Sequence, residues 1–135
     1  MQIVFVDTVA WIALVNLHDS LPLQAKTILP QLRTDGRRFL TSEVVLVEFA
    51  NTLCSPNFRL RAAVFIDGLR DSEDVEIIPA SSNLFSLRLE LYKSRADKEW
   101  SLVDCTSFVV MDEHGLIDAF TEDHHFEQAG FTKFL

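Results

Sequence analysis

The sequence predicts an α/β fold with a parallel sheet between helical layers, and three observations predict it. Ile3-Val4-Phe5-Val6 is an unbroken apolar, β-favouring run of the kind that suits a strand covered on both faces. Shorter runs of similar character recur at Phe39-Leu40-Thr41, Val75-Glu76-Ile77-Ile78 and Leu116 to Thr121, separated by apolar patterns of helical length. No repeat or low-complexity stretch interrupts the alternation, so the strands are expected to be joined by helical crossovers and to lie parallel.

The 135 residues are read as one domain with a sizeable core, since 48% are apolar. No apolar run approaches the roughly 20 residues needed to cross a bilayer. The amino terminus lacks the basic start and long apolar run of an export signal, so a cytoplasmic protein is expected. Cys54 and Cys105 sit in apolar helical patterns without metal-ligand spacing, and both are expected to be buried free thiols. A net charge of -8 argues against gripping nucleic acid through bulk positive charge. It leaves room for an enzyme whose acidic site is filled by divalent cations.

The first strand ends in Asp7, and Val9 to Val15 suits a helix packed back on the sheet. Asp7 would then lie where open α/β sheets gather ligands. The competing role is a helix cap, which Thr8 could equally supply. Asn16 to Ser20 reads as a turn, and Pro22 opens a helix that runs to about Asp35-Gly36. Arg37 to Thr41 is a second strand, and Ser42 caps a helix from Val44 to Cys54. That helix is apolar nearly all round and is expected to be largely buried, which makes Glu48 conspicuous. A buried glutamate must be paired, neutral or in use. Asn51 shares its face and could orient it.

Pro56 is placed to open a helix through Arg59, Val64 and Leu69, and Asp71 to Asp74 is a solvated acidic turn. Val75 to Ile78 is a third strand. In the helix from Ser82 to Arg95, Leu84, Leu87 and Leu91, widened by Phe85 and Leu89, form a stripe expected to be core. Asp97 to Trp100 is a polar connection. Ser101 opens a helix carrying Phe108 and Met111, and its spacing to Asp104 matches a capping box. Asp reaches back less well than the Glu or Gln such boxes prefer, so a functional role for Asp104 is favoured. Leu116 to Thr121 is a fourth strand, and Asp123 follows it as Asp7 follows the first. Phe126 to Ala129 makes a short helix and Gly130 to Leu135 a last strand. Zinc binding by His124-His125 is disfavoured, since adjacent residues face different ways and no cysteine accompanies them.

Asp7, Glu48, Asp104 and Asp123 are thus the acids in the most apolar or strand-end settings, and the topology can gather them at one sheet edge. Two carboxylates about 4 Å apart repel by roughly 4 kcal/mol at an effective dielectric near 20, so such a site binds cations or holds a proton. Oxygen ligands favour magnesium or manganese over zinc. Ions so held can activate water for phosphoryl displacement.

Four blocks carry a resemblance: Val4-Phe5-Val6-Asp7-Thr8 with Trp11; Glu43 to Glu48 with Asn51-Thr52-Leu53; Leu102 to Phe108; and Ala119 to Phe126. In this order and spacing they resemble the PIN domain, over essentially the whole chain. The last block, continued through Phe131, looks like VapC-type toxins in particular. The resemblance implies a three-layer α/β/α fold and a Mg2+- or Mn2+-dependent ribonuclease. It also implies, commonly, a homodimer neutralised by a small antitoxin protein. Carried over by position, Asp7 and Asp104 match the principal metal-binding aspartates, Glu48 the family glutamate and Asp123 the fourth acid. Thr8 matches the hydroxyl residue beside the first. Glu122 precedes Asp123 where the family often has a nonacidic residue, so either could face the metal.

The expected mechanism has Asp7, Asp104 and Asp123 around the metal, with Glu48 on a second ion or on the attacking water. Arg33, Arg37, Arg38, Arg59 and Arg61 could guide RNA, or simply be solvated. Two alternatives stand beside this reading. One is a metal-dependent phosphatase acting on small phosphoesters. The other is a catalytically silent module that binds RNA or protein.

Overall fold

The computed structural model describes residues 2–15 and 34–134, so the expected turn at 16–20, the body of the helix from Pro22, and Arg33 lie outside it. Five strands form one parallel sheet in the order β3-β2-β1-β4-β5. They are β1 (Ile3–Val6), β2 (Arg38–Ser42), β3 (Val75–Ile78), β4 (Asp118–Phe120) and β5 (Thr132–Phe134). Among the described residues the helices are α1 (Thr8–Val15), α2 (Glu43–Thr52), α3 (Arg59–Asp71), α4 (Ser82–Ser94), α5 (Leu102–Glu113) and α6 (His124–Gln128). They flank the sheet, with α1, α2 and α3 in mutual contact and α4 packed along α5.

β1 is the central strand, and Val4, Phe5 and Val6 are fully buried, as a run with no polar face requires. Phe5 stands in register with Leu40 on one side and Ala119 on the other. From β1 the chain builds outward through β2 and β3, then crosses to β4 and β5 on the opposite side. This reversal opens a crevice beyond the carboxyl ends of β1 and β4.

Buried hydrogen bonds tie α1 to that end of the sheet. The Trp11 indole donates to Thr41 Oγ1 at 3.2 Å, and Thr41 Oγ1 donates to the Val6 carbonyl at 3.0 Å. On the other side, Phe108 meets both Trp100 and Phe126 edge-on with ring centroids 5.0 Å apart, fixing α5 against α6.

Several expectations are corrected. α2 is not buried all round: only Val45, Leu46 and Phe49 face the core, and Val47 is 59% exposed. The helix ends at Thr52, two residues short of the expected run, and Cys54 is exposed while Cys105 is buried. The α4 stripe is not core either, because Leu84 alone is buried while Phe85 and Leu87 are exposed. Helical spacing marks a shared face, and the length of chain packed over that face decides how much of it is covered. Pro56 lies in a turn ahead of α3, which begins at Arg59 with Phe58 at its N-cap.

Candidate metal centre

Asp7 follows β1, Glu48 lies on α2, Asp104 in the first turn of α5, and Asp123 at the N-cap of α6. All four line one pocket of about 410 Å3, together with Thr8, Val9, Ile12, Thr52, Glu99, Ser101 and His125. Glu122 is exposed and does not line it, so the carboxylate that follows β4 into the pocket is that of Asp123.

Asp7 is the deepest acid, with 7% of its surface exposed. Burial pushes its carboxyl up to about 7, and the nearby charges of Asp104 and Glu48 push the same way. Hydrogen bonds from the Thr8 backbone N–H and the Thr121 hydroxyl oppose the rise without cancelling it. The Thr121 hydroxyl donates to Asp7 Oδ2 at 3.0 Å and accepts from the Asp123 N–H at 3.1 Å, joining the acids that follow β1 and β4.

Glu48 Oε1 accepts from the Thr8 hydroxyl at 2.5 Å. Thr8 therefore orients a carboxylate, and that carboxylate belongs to Glu48. Asn51 is exposed and lines a neighbouring groove. The orienting role expected of it falls to Thr8.

Asp104 both caps its helix and faces the pocket. Ser101 Oγ accepts from the Asp104 N–H at 3.0 Å, and Asp104 Oδ2 accepts from the Ser101 N–H at 3.1 Å. The shorter side chain thus reaches back fully, and Asp104 serves as cap and pocket wall at once. The same Oδ2 lies 3.1 Å from His125 Nδ1, which is also 3.3 Å from Asp123 Oδ1.

The two histidines do not diverge as expected. Their ring centroids are 4.5 Å apart, and Asp123, His124 and His125 offer ligand atoms within 4.8 Å of one another. His124 is 69% exposed, however, and the pocket's lining includes only His125. The sequence reading missed Thr121, Glu99 and His125. Thr121 alone had a signal, a hydroxyl between the strand end and Asp123.

The described arginines of the expected patch do not line the pocket. Arg37 pairs with Asp118 at 2.8 Å, ahead of β2 and at the start of β4, the opposite end of the sheet from the acids. Arg38 donates to the Glu73 carbonyl and Arg59 to the Cys54 carbonyl. Among the described residues, no lysine or arginine lines the acidic pocket.

Residues 4–132 match the PIN domain family model. The chain belongs to the PIN domain family. It is 33% identical over 130 residues to the 23S rRNA-specific endonuclease VapC20 of Mycobacterium tuberculosis, covering 96% of each protein. The crystal structure of VapC20, described as a sarcin-ricin loop cleaving toxin, superposes with a TM-score of 0.82 over 96% of each chain. Two more distant structures share the fold. VapBC2 from Rickettsia felis has a TM-score of 0.70 at 16% identity, covering 98% of each chain. FitAcB from Neisseria gonorrhoeae has 0.67 at 15%, covering 98% of this chain and 96% of that one. Among the described residues, no helix is long and apolar enough to cross a membrane.

Proposed function

We propose that this PIN domain protein is a Mg2+- or Mn2+-dependent endoribonuclease, the toxin of a toxin-antitoxin pair, acting on RNA in the cytoplasm. The observation that carries this reading is the convergence of Asp7, Glu48, Asp104 and Asp123 on one pocket, with no lysine or arginine among the described residues that line it. A phosphodiester brought to that pocket would meet only negative charge unless a cation stood between. A buried carboxylate raised to about 7 by burial and its acidic neighbours is one that a dication would ionise. The oxygen-rich donor set suits magnesium or manganese.

Asp7, Asp104 and Asp123 are the proposed ligands, and Glu48, held by Thr8, would serve a second ion or the attacking water. When bound, such an ion supplies charge stabilisation for an in-line phosphoryl displacement and activation of the water. The protein's own residues do the placing. Thr121 couples Asp7 to Asp123, the Ser101 capping box fixes Asp104, and Thr8 fixes Glu48. No side-chain nucleophile is required.

The similarity to a 23S rRNA-specific endonuclease supports a structured RNA loop as substrate. The antitoxin, and a second copy of the chain, are proposed partners. Phe85 and Tyr92, two turns apart on α4, are exposed apolar surface of the kind protein partners cover.

The test is cleavage of 23S rRNA and of a sarcin-ricin stem-loop oligonucleotide with Mg2+ or Mn2+, with EDTA, and by Asp7→Asn and Asp104→Asn. Cleavage that needs the ion and both acids is the expected result. Activity that survives EDTA and both substitutions would overturn the mechanism, and hydrolysis of an aryl phosphate with RNA left intact would favour a phosphatase.

A further inference from the structure

We infer that His125 is a positioning residue for the acidic site, its ring Nδ1–H bonded to Asp104 Oδ2 and set against Asp123 Oδ1 so as to fix which oxygens of the two acids meet a cation. The inference rests on the metal-dependent reading above. One ring nitrogen lies 3.1 Å from Asp104 Oδ2 and 3.3 Å from Asp123 Oδ1, two carboxylates carried by different helices. Carboxylate oxygens only accept, so the nitrogen between them carries the hydrogen.

Each of those oxygens also accepts a backbone N–H. Ser101 donates to Asp104 Oδ2, and His125 itself donates to Asp123 Oδ1 at 2.9 Å. One oxygen of each acid is thereby committed to the protein, and Asp104 Oδ1 and Asp123 Oδ2 are the atoms left for an ion. The arrangement is sheltered, with the three side chains between 14% and 28% exposed. Hydrogen-bonded groups behind a metal's ligands orient them, and losing one commonly weakens binding about 10- to 100-fold. His124 provides the contrast. Its Nδ1 lies 3.8 Å from Asp123 Oδ1, too far for a hydrogen bond, and its ring is largely in solvent.

The experiment titrates the full chain with Mn2+ in the absence of RNA, following free Mn2+ by electron paramagnetic resonance, with thermal melts to verify folding. His125→Ala should weaken Mn2+ binding about tenfold or more. His125→Asn, whose amide nitrogen stands about where the ring Nδ1 does and can donate, should recover most of the loss, and His124→Ala should bind like the wild type. Unchanged affinity in His125→Ala overturns the proposal. Equal losses in His124→Ala and His125→Ala also overturn it, because the two would then be direct ligands. If wild type and Asp7→Asn bind Mn2+ equally poorly, the underlying metal reading fails. The Nδ1 hydrogen is judged separately by nitrogen-15 NMR of the metal-free protein, where an unprotonated His125 Nδ1 refutes the proposal.

Discussion

Asp7→Asn tests whether acids are gathered at a cost that a cation relieves. In the folded, metal-free protein the Asp7 carboxyl is raised from 3.8 to about 7. The unfolded chain releases this proton near pH 4, whereas the folded chain holds it until about pH 7. Between those values the native state binds more protons, so stability falls as pH rises, and above pH 7 the full penalty is in force. From 3.8 to about 7, at about 1.36 kcal/mol per pH unit, the penalty comes to roughly 4 kcal/mol.

Asparagine imitates the neutral carboxyl in shape, and the Thr121 hydroxyl can accept from its amide as readily as it donates to the carboxylate. The variant should therefore be the more stable protein in EDTA at pH 7.5. A gain of even 2 kcal/mol raises the melting temperature by about 5 °C or more in a chain of this size. The difference should shrink towards zero as the pH approaches 4. Millimolar Mn2+ should stabilise the wild type but not the variant, by about 2.7 kcal/mol at 100 times the dissociation constant. Thermal melts across pH 4 to 8, with EDTA or Mn2+, measure all of this. A variant that melts at or below the wild type at pH 7.5, or a gap that ignores pH, would refute the reasoning.

Ser101→Ala removes one half of the α5 capping box and should cost about 1 kcal/mol in chemical denaturation, while also loosening Asp104 and lowering cleavage. Thr8→Val deletes the hydroxyl that holds Glu48, and should reduce the cleavage rate on the RNA oligonucleotide with the fold intact by circular dichroism. Arg37→Ala should leave cleavage unchanged, since its pair with Asp118 lies at the far end of the sheet. Its cost is expected in stability alone, about 1 kcal/mol or less by denaturant titration. Metal removal by EDTA should abolish cleavage, and excess Mg2+ or Mn2+ should restore it.

What could be read in advance divides along physical lines. Asp7 and Asp123 were legible because a strand covered on both faces has a continuous apolar sequence, and an acid that ends it must emerge at the sheet's carboxyl edge. Glu48 was picked out for a reason that does not hold, since α2 presents Val47 to solvent. Its partner is Thr8, forty residues earlier, a contact set by how α1 packs on α2. The α4 leucines show the same limit from the other side: their period is helical, but coverage depends on the neighbouring elements. His125 was invisible as a site residue, and Thr121 showed only its hydroxyl between the strand end and Asp123, for a related reason. Their partners, Asp7 and Asp104, come from distant parts of the chain and are brought close only when β4 pairs with β1 and α6 docks on α5.

The double use of Asp104 explains how such a site can exist before any ion arrives. An acid whose only partner is a cation is left unbalanced when the cation is absent, and it turns away or takes a proton. Asp104 instead receives the Ser101 N–H and the His125 ring on one oxygen, so its position is fixed by the helix it caps. Asp123 likewise accepts the His125 N–H at the start of α6. Asp7 has the same kind of support from Thr8 and Thr121, yet its deeper burial outweighs it, and it is the acid whose carboxyl is raised to about 7. Asp7 therefore carries a cost that a bound cation would relieve. On this account metal affinity should be steeply pH-dependent below about pH 7, because an ion must displace the Asp7 proton. Isothermal titration of Mn2+ in buffers of different ionisation enthalpy should count close to one proton released at pH 6 and fewer at pH 8. Proton release that does not change across that range would place the cost somewhere other than Asp7.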